Sequence, residues 1–170
     1  MELTGLADAD DVSSPQLSVA IAPKFPLEMR YGRLQMENVY GLETSDLKMP
    51  FQAEFYTSSG FIINSADGCW SYNTAADVAL DQSNLSGGNT SVIGTSGTLL
   101  AGAAEEDEQL ILKAPGANNQ GDVIATFAVP LWLQGDWNQD GFLENPQATA
   151  TFGVYRGNDR VIYWREVLNN

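Results

Sequence analysis

Apolar and polar positions alternate along most of this chain with a period of two. That is the spacing of strands with one face on a core and the other in water. In the stretch 123–133, Val123, Ala125, Phe127, Val129, Leu131 and Leu133 share one parity. Pro130 cannot donate to a ladder, so a strand here breaks at that residue or lies at an edge. Phe51, Ala53 and Phe55 alternate with Gln52 and Glu54, which puts Glu54 on the solvent side. Ala150, Phe152 and Val154 alternate with Thr149, Thr151 and Gly153. Near residue 32 the parity changes: Met29 and Tyr31 are odd, Leu34 and Met36 even. A β-bulge at Gly32-Arg33 would return all four to one buried face.

Turn residues punctuate these runs. Gly87-Gly88-Asn89, Gly97 and Pro115-Gly116 are expected turns. Gly157-Asn158-Asp159 separates two β-rich runs, 149–155 and 160–167, and predicts a hairpin. The spacing allows one short helix, over 74–80, with Asn73 as its cap. Many short strands with Gly-rich turns predict an all-β fold, an antiparallel β-sandwich of immunoglobulin-like type with at most one short helix. No internal repeat interrupts the pattern.

Residues 1–16, with Asp8, Asp10 and Asp11 ahead of Ser13-Ser14-Pro15, read as a linker or ragged end. Residues 17–170 then form a single domain. Met1-Glu2-Leu3 lacks the basic and apolar regions of a signal peptide. The chain is therefore either cytosolic or a piece of a longer secreted chain, and the linker favours the second. No apolar run is long enough for a membrane span, so direct membrane insertion is not expected.

Composition narrows the chemistry. The 170 residues include 22 acidic, 8 basic, no histidine and one cysteine, for a formal charge of -14. Absent histidine removes Ser-His-Asp and Cys-His machinery and histidine-ligated metals. One cysteine removes an internal disulfide framework. The charge argues against nucleic acid and anionic lipid as partners, because both repel an acidic surface. Between Met49 and Tyr155 the only basic residue is Lys113, whereas Arg156, Arg160 and Arg165 make the C-terminal end locally basic. Those arginines offer a docking surface for an acidic neighbouring domain.

The sharpest motif is Asp136-Trp137-Asn138-Gln139-Asp140-Gly141. Calcium takes six to eight oxygens, and alternating carboxylate and amide side chains can supply them from one tight loop. Asp136, Asn138 and Asp140 are the expected side-chain ligands, the Phe142 carbonyl a fourth and Glu144 a fifth. Position twelve of such a loop falls on Gln147, where a bidentate glutamate is usual, and no flanking helices are expected. The motif thus predicts an isolated structural Ca2+ loop over 136–147, between two β segments. The competing reading is an acidic turn whose side chains bond to their own backbone.

Other residues are less specific. Glu105-Glu106-Asp107-Glu108 has no ligand spacing and reads as a solvated loop. Cys69 reads as a small buried hydrophobe, with pairing to a cysteine outside this fragment as the alternative. Trp132, Trp137, Tyr155, Tyr163 and Trp164 could line a sugar-stacking groove, although aromatics in β-rich chains more often fill cores. Glu37, Glu54 and Glu166 are candidate acid/base groups by residue type alone. Nothing singles out an opposed pair, so no catalytic residue is assigned and an enzyme is not expected.

Several of these pieces resemble one family. The run 148–167, together with 30–34, 37–41, 50–56, the 136–141 loop and Cys69 after its Asp-containing turn, is similar to the C-terminal domain of MshQ-like proteins. These are bacterial proteins associated with the mannose-sensitive haemagglutinin type IV pilus system. The likeness spans roughly 25–168 and leaves 71–100 without a counterpart. It implies a C-terminal module of a larger exported protein at the cell surface or pilus, with β domains upstream and no catalytic residues. Neighbouring domains of the same chain, or pilus and surface proteins, are then the expected partners. The expected function is a non-catalytic structural or interaction module. The rival is an adhesin module that binds glycans through aromatics, with calcium assisting.

Overall fold

The computed structural model describes residues 2–4, 18–20 and 29–154. Two compact units divide the chain, 1–30 and 31–170. In the first, strands β1 (Glu2–Thr4) and β2 (Ser18–Ala20) pair antiparallel, with Leu3 opposite Val19. Most of the expected linker at 1–16 lies outside the described residues. So do the 157–159 hairpin, the three C-terminal arginines, Tyr155, Tyr163, Trp164 and Glu166.

The second unit is all-β and sandwich-like, with one short helix among its described residues. Its elements, in chain order, are β3 (Gly32–Met36), β4 (Val39–Gly41), β5 (Leu47–Met49), β6 (Phe51–Thr57) and β7 (Gly60–Ile63). Next come β8 (Ser71–Asn73), α1 (Thr74–Asp77), β9 (Val78–Leu85), β10 (Val92–Ile93) and β11 (Ser96–Thr98). Last are β12 (Leu110–Leu112), β13 (Gly121–Phe127), a 3-10 turn (Leu131–Leu133) and β14 (Gln147–Phe152). The sheets run β4-β14-β13-β9, β3-β6-β7, β10-β12-β5 and β11-β8. Pairing is antiparallel except between β14 and β4.

Alternation builds the core. Val123, Ala125 and Phe127 on β13 and Ala148, Ala150 and Phe152 on β14 are buried, and Val123 lies opposite Ala150 in the register. Leu47 and Met49 on β5 face Leu112 and Leu110 on β12, all buried. The β4-β14-β13-β9 and β3-β6-β7 sheets meet through aromatics: Phe51 on β6 stands edge-on to Phe127 on β13, with centroids 5.2 Å apart. Trp70 and Tyr72 close around the same pair, at 5.5 and 6.3 Å from Phe127. Each such ring, fully buried, contributes roughly 1.5–3 kcal/mol.

Several details depart from the sequence reading. β13 ends at Phe127, and Pro130 opens the 3-10 turn, so Leu133 is buried but Leu131 is exposed. No bulge forms at Gly32-Arg33: β3 pairs with β6 in unbroken register. Met29 and Tyr31 stay exposed, so the parity change marks the start of the strand. The register shift lies instead between Asp122 and Ile124, where β13 pairs with β9. The helix keeps its cap, with Asn73 Oδ1 accepting the Ala75 N–H at 3.1 Å, but stops at Asp77. Val78 and Leu80 pair with Phe127 and Ala125, a ladder that outweighs local helix preference. Gly97 sits within β11 opposite Tyr72 and makes no turn.

Cys69 is exposed, not buried. Its N–H donates to Asp67 Oδ1 at 3.3 Å, and the neighbouring Trp70 takes the core position. Glu105, Glu106 and Asp107 are solvated as expected.

Candidate functional site

The site lies on the outer face of the β3-β6-β7 sheet. Because Leu34 and Met36 point inward, Arg33 points outward; because Phe51 and Ala53 point inward, Glu54 and Tyr56 point outward. The register sets Arg33 opposite Glu54, Glu54 opposite Ile63, and Tyr56 opposite Phe61. Beyond β3, the Tyr56 N–H donates to the Tyr31 carbonyl at 2.8 Å, which adds Tyr31 to that row.

Glu54 does not face solvent. It is only 9% exposed, although the alternation gave its direction correctly. Arg33 Nε and Nη2 reach its Oε2 at 2.9 and 2.8 Å, and Gln52 Nε2 donates to Oε1 at 2.9 Å. The guanidinium also lies over two rings, 3.7 Å from the Phe61 ring centroid and 4.8 Å from that of Trp137. Trp137 belongs to the acidic loop. The loop therefore lies over the sheet and covers a face that alternation alone would leave to water.

The loop itself is closed by a bridge. The Gly135 N–H donates to the Glu144 carbonyl at 3.1 Å, and the Glu144 N–H returns to the Gly135 carbonyl at 2.9 Å. Gly135 is required by close approach, since a Cβ there would meet the Trp137 ring at 2.9 Å. Gly141 is required by its backbone, with φ +90. Asn145 Oδ1 anchors the exit by accepting from the Val129 N–H and from Gln134 Nε2, both at 3.1 Å.

Four of the five expected ligand residues converge through side chains. Asp136 Oδ1 and Oδ2 accept the N–H groups of Asp140 and Gly141, each at 3.0 Å. Asn138 Oδ1 accepts the Asp140 N–H at 3.1 Å. Asn138 Nδ2 donates to Asp140 Oδ2 at 3.0 Å and to Glu144 Oε1 at 3.2 Å. Phe142 is 71% exposed, and its N–H donates to Asp140 Oδ1 at 2.9 Å. Gln147 opens β14 opposite Thr126 and takes no part in this network. A 3-10 turn precedes the loop where a strand was expected; β14 follows it. Among the described residues, no three His, Cys, Asp or Glu side chains form a ready-made metal cluster. Two carboxylate oxygens converge on one amide N–H2 group, whose hydrogens carry the partial positive charge that draws them.

Two clefts are lined in part by residues of the loop. One, of about 440 Å³, is lined by Thr126, Trp137, Glu144, Asn145 and Gln147. The other, of about 350 Å³, is lined by Tyr31, Arg33, Tyr56, Phe61, Gly135 and Asp136. The Trp137 indole N–H is buried and has no hydrogen-bond partner among the described residues. Of the other aromatics proposed for a groove, Trp132 stands exposed on the 3-10 turn, outside both linings. The sequence reading missed Tyr31, Tyr56 and Phe61. Its one available signal was that Glu54 and Tyr56 share a parity opposite to the core.

The sequence profile of a family described as DUF6701, fourth domain, matches residues 30–167. No curated protein and no solved structure matches the chain. The matched span takes in every element from β3 onward as well as the acidic loop, and the chain belongs to the DUF6701 fourth-domain family.

Proposed function

We propose that this chain is a non-catalytic structural or interaction module of a bacterial surface or pilus-associated protein, with a loop over 136–147 that calcium orders. One observation supports the calcium reading above all: Asp140 Oδ2 and Glu144 Oε1 both turn toward the Asn138 amide nitrogen. In that arrangement an amide N–H2 group stands in for a cation. Asp136, Asn138, Asp140 and Glu144 side chains, with the Phe142 carbonyl, would hold the ion. When bound, it would neutralise clustered carboxylates and supply no catalysis. The surface or pilus setting rests on the resemblance to MshQ-like proteins, as do neighbouring domains or pilus proteins as partners.

Thermal melting in calcium and in chelator, with elemental analysis of the purified protein, tests the reading. A ligand that binds only the folded state raises stability by about 2.7 kcal/mol at a hundredfold excess over Kd. Identical melting curves and a metal-free protein would sink it.

A further inference from the structure

We propose that the cleft between Tyr31, Tyr56, Phe61 and the root of the acidic loop is a binding site for a neutral saccharide. This goes beyond the calcium reading and shares one residue with it, Asp136, while the tyrosine platform belongs to the cleft alone.

Tyr31 and Tyr56 are 50% and 57% exposed on the solvent side of a sheet. Single exposed aromatics need no explanation, but these two touch a common Phe61, with centroids at 6.0 and 5.3 Å. Together they line a concavity of about 350 Å³, the size of a small-molecule site. The rings sit on a hydrogen-bonded sheet, so the platform is already formed.

Arg33 and Asp136 line the same cleft. One is purely a donor and the other, when ionised, purely an acceptor. A hydroxyl is both, so a polyol can address the pair, while its C–H faces lie on the tyrosine rings.

The guanidinium of Arg33 is already paired with Glu54, so it offers little net charge to an anion. Asp136 and the net charge of -14 oppose one further. A cationic ligand meets a different obstacle, because Arg33 already occupies a face of Phe61 at 3.7 Å. A second cation on this platform would sit beside the first. A neutral, hydroxyl-rich ligand remains.

The experiment is an array of neutral and acidic oligosaccharides probed with the intact chain in excess calcium. Binding to neutral glycans is expected, weakened about tenfold by Tyr56→Ala or Tyr31→Ala, the size of a lost aromatic contact. Both side chains are half exposed, and circular dichroism will verify that each variant is folded. Trp132→Ala, outside the cleft, should bind as the parent does. A blank array, a preference for sulfated or sialylated glycans, or binding that survives both tyrosine substitutions would each overturn the site. So would equal loss with Trp132→Ala. The melting test of the calcium loop stands apart from all of these outcomes.

Discussion

Arg33 Nη2 lies 2.8 Å from Glu54 Oε2, and this ion pair is the point at which the acidic loop meets the sheet. The Arg33 guanidinium of the pair also lies over the rings of Phe61 and Trp137. Removing one partner of a buried pair costs about 3–5 kcal/mol. The Arg33 side chain keeps 24% exposure, so solvent screening lowers the expectation for Arg33→Met to about 2 kcal/mol. The double variant Arg33→Met/Glu54→Met should recover at least half of that loss, because no uncompensated charge stays behind. Urea denaturation of the four-member cycle checks this; a double variant as weak as the sum of its parts would contradict it.

The Asn138 amide gives the loop a second handle. Asn138→Asp removes the N–H2 group shared by Asp140 and Glu144 and puts a third carboxylate in its place. Repulsion and the lost bonds together should cost on the order of 1 kcal/mol, which lowers Tm in chelator by a few degrees. Calcium should then raise Tm by more than it does in the parent, since ligand charge tunes affinity. Unchanged behaviour in both conditions would count against the network and the ion alike.

Tyr72 predicts an alkaline limit. Its hydroxyl donates to the Glu108 carbonyl at 3.2 Å, at the edge of the aromatic core. Burial, and after it the carboxylates of Glu108, Glu105 and Asp107, push its pKa from 10.0 to about 12. The unfolded chain thus releases the phenolic proton first, and the folded state is favoured as long as that proton stays on. This stability is complete below pH 10 and is lost as pH rises toward 12. Tyr72→Phe should flatten the decline in that window; an unchanged slope would assign it to other groups.

Cys69 makes a simple contrast with its neighbour. Exposed thiols react in the folded state, so a dithiobis-nitrobenzoate reagent should modify Cys69 fully without denaturant. Cys69→Ser should change stability by no more than about 0.5 kcal/mol. Trp70→Ala, which opens the aromatic core, should cost about 3–5 kcal/mol. A thiol that reacts only in urea would mean that this turn is closed.

Much of the architecture could be read locally. The inward faces of β6, β13 and β14, the Asn73 cap and the interruption at Pro130 each depend on residues a few positions apart. Alternation and backbone chemistry act over that range, so one chain suffices to state them. The acidic loop was legible for the same reason: its carboxylates and amide lie within nine positions, and its hydrogen bonds close on themselves.

What alternation could not supply was the third dimension. It directed Glu54 outward but could not foresee Trp137, far along the chain, lying across Arg33 to cover it. It placed Cys69 in the core because cysteine favours burial, whereas an Asp67 turn passes that place to Trp70. It read a bulge at Gly32 because it assumed that every apolar residue seeks the interior. Tyr31 instead joins Tyr56 and Phe61 on the outer face. Strand content, turn chemistry and the loop's donor set are consequences of neighbouring residues. Burial of charge and assembly of the aromatic cleft are consequences of packing between segments distant along the chain, which only the folded molecule brings into contact.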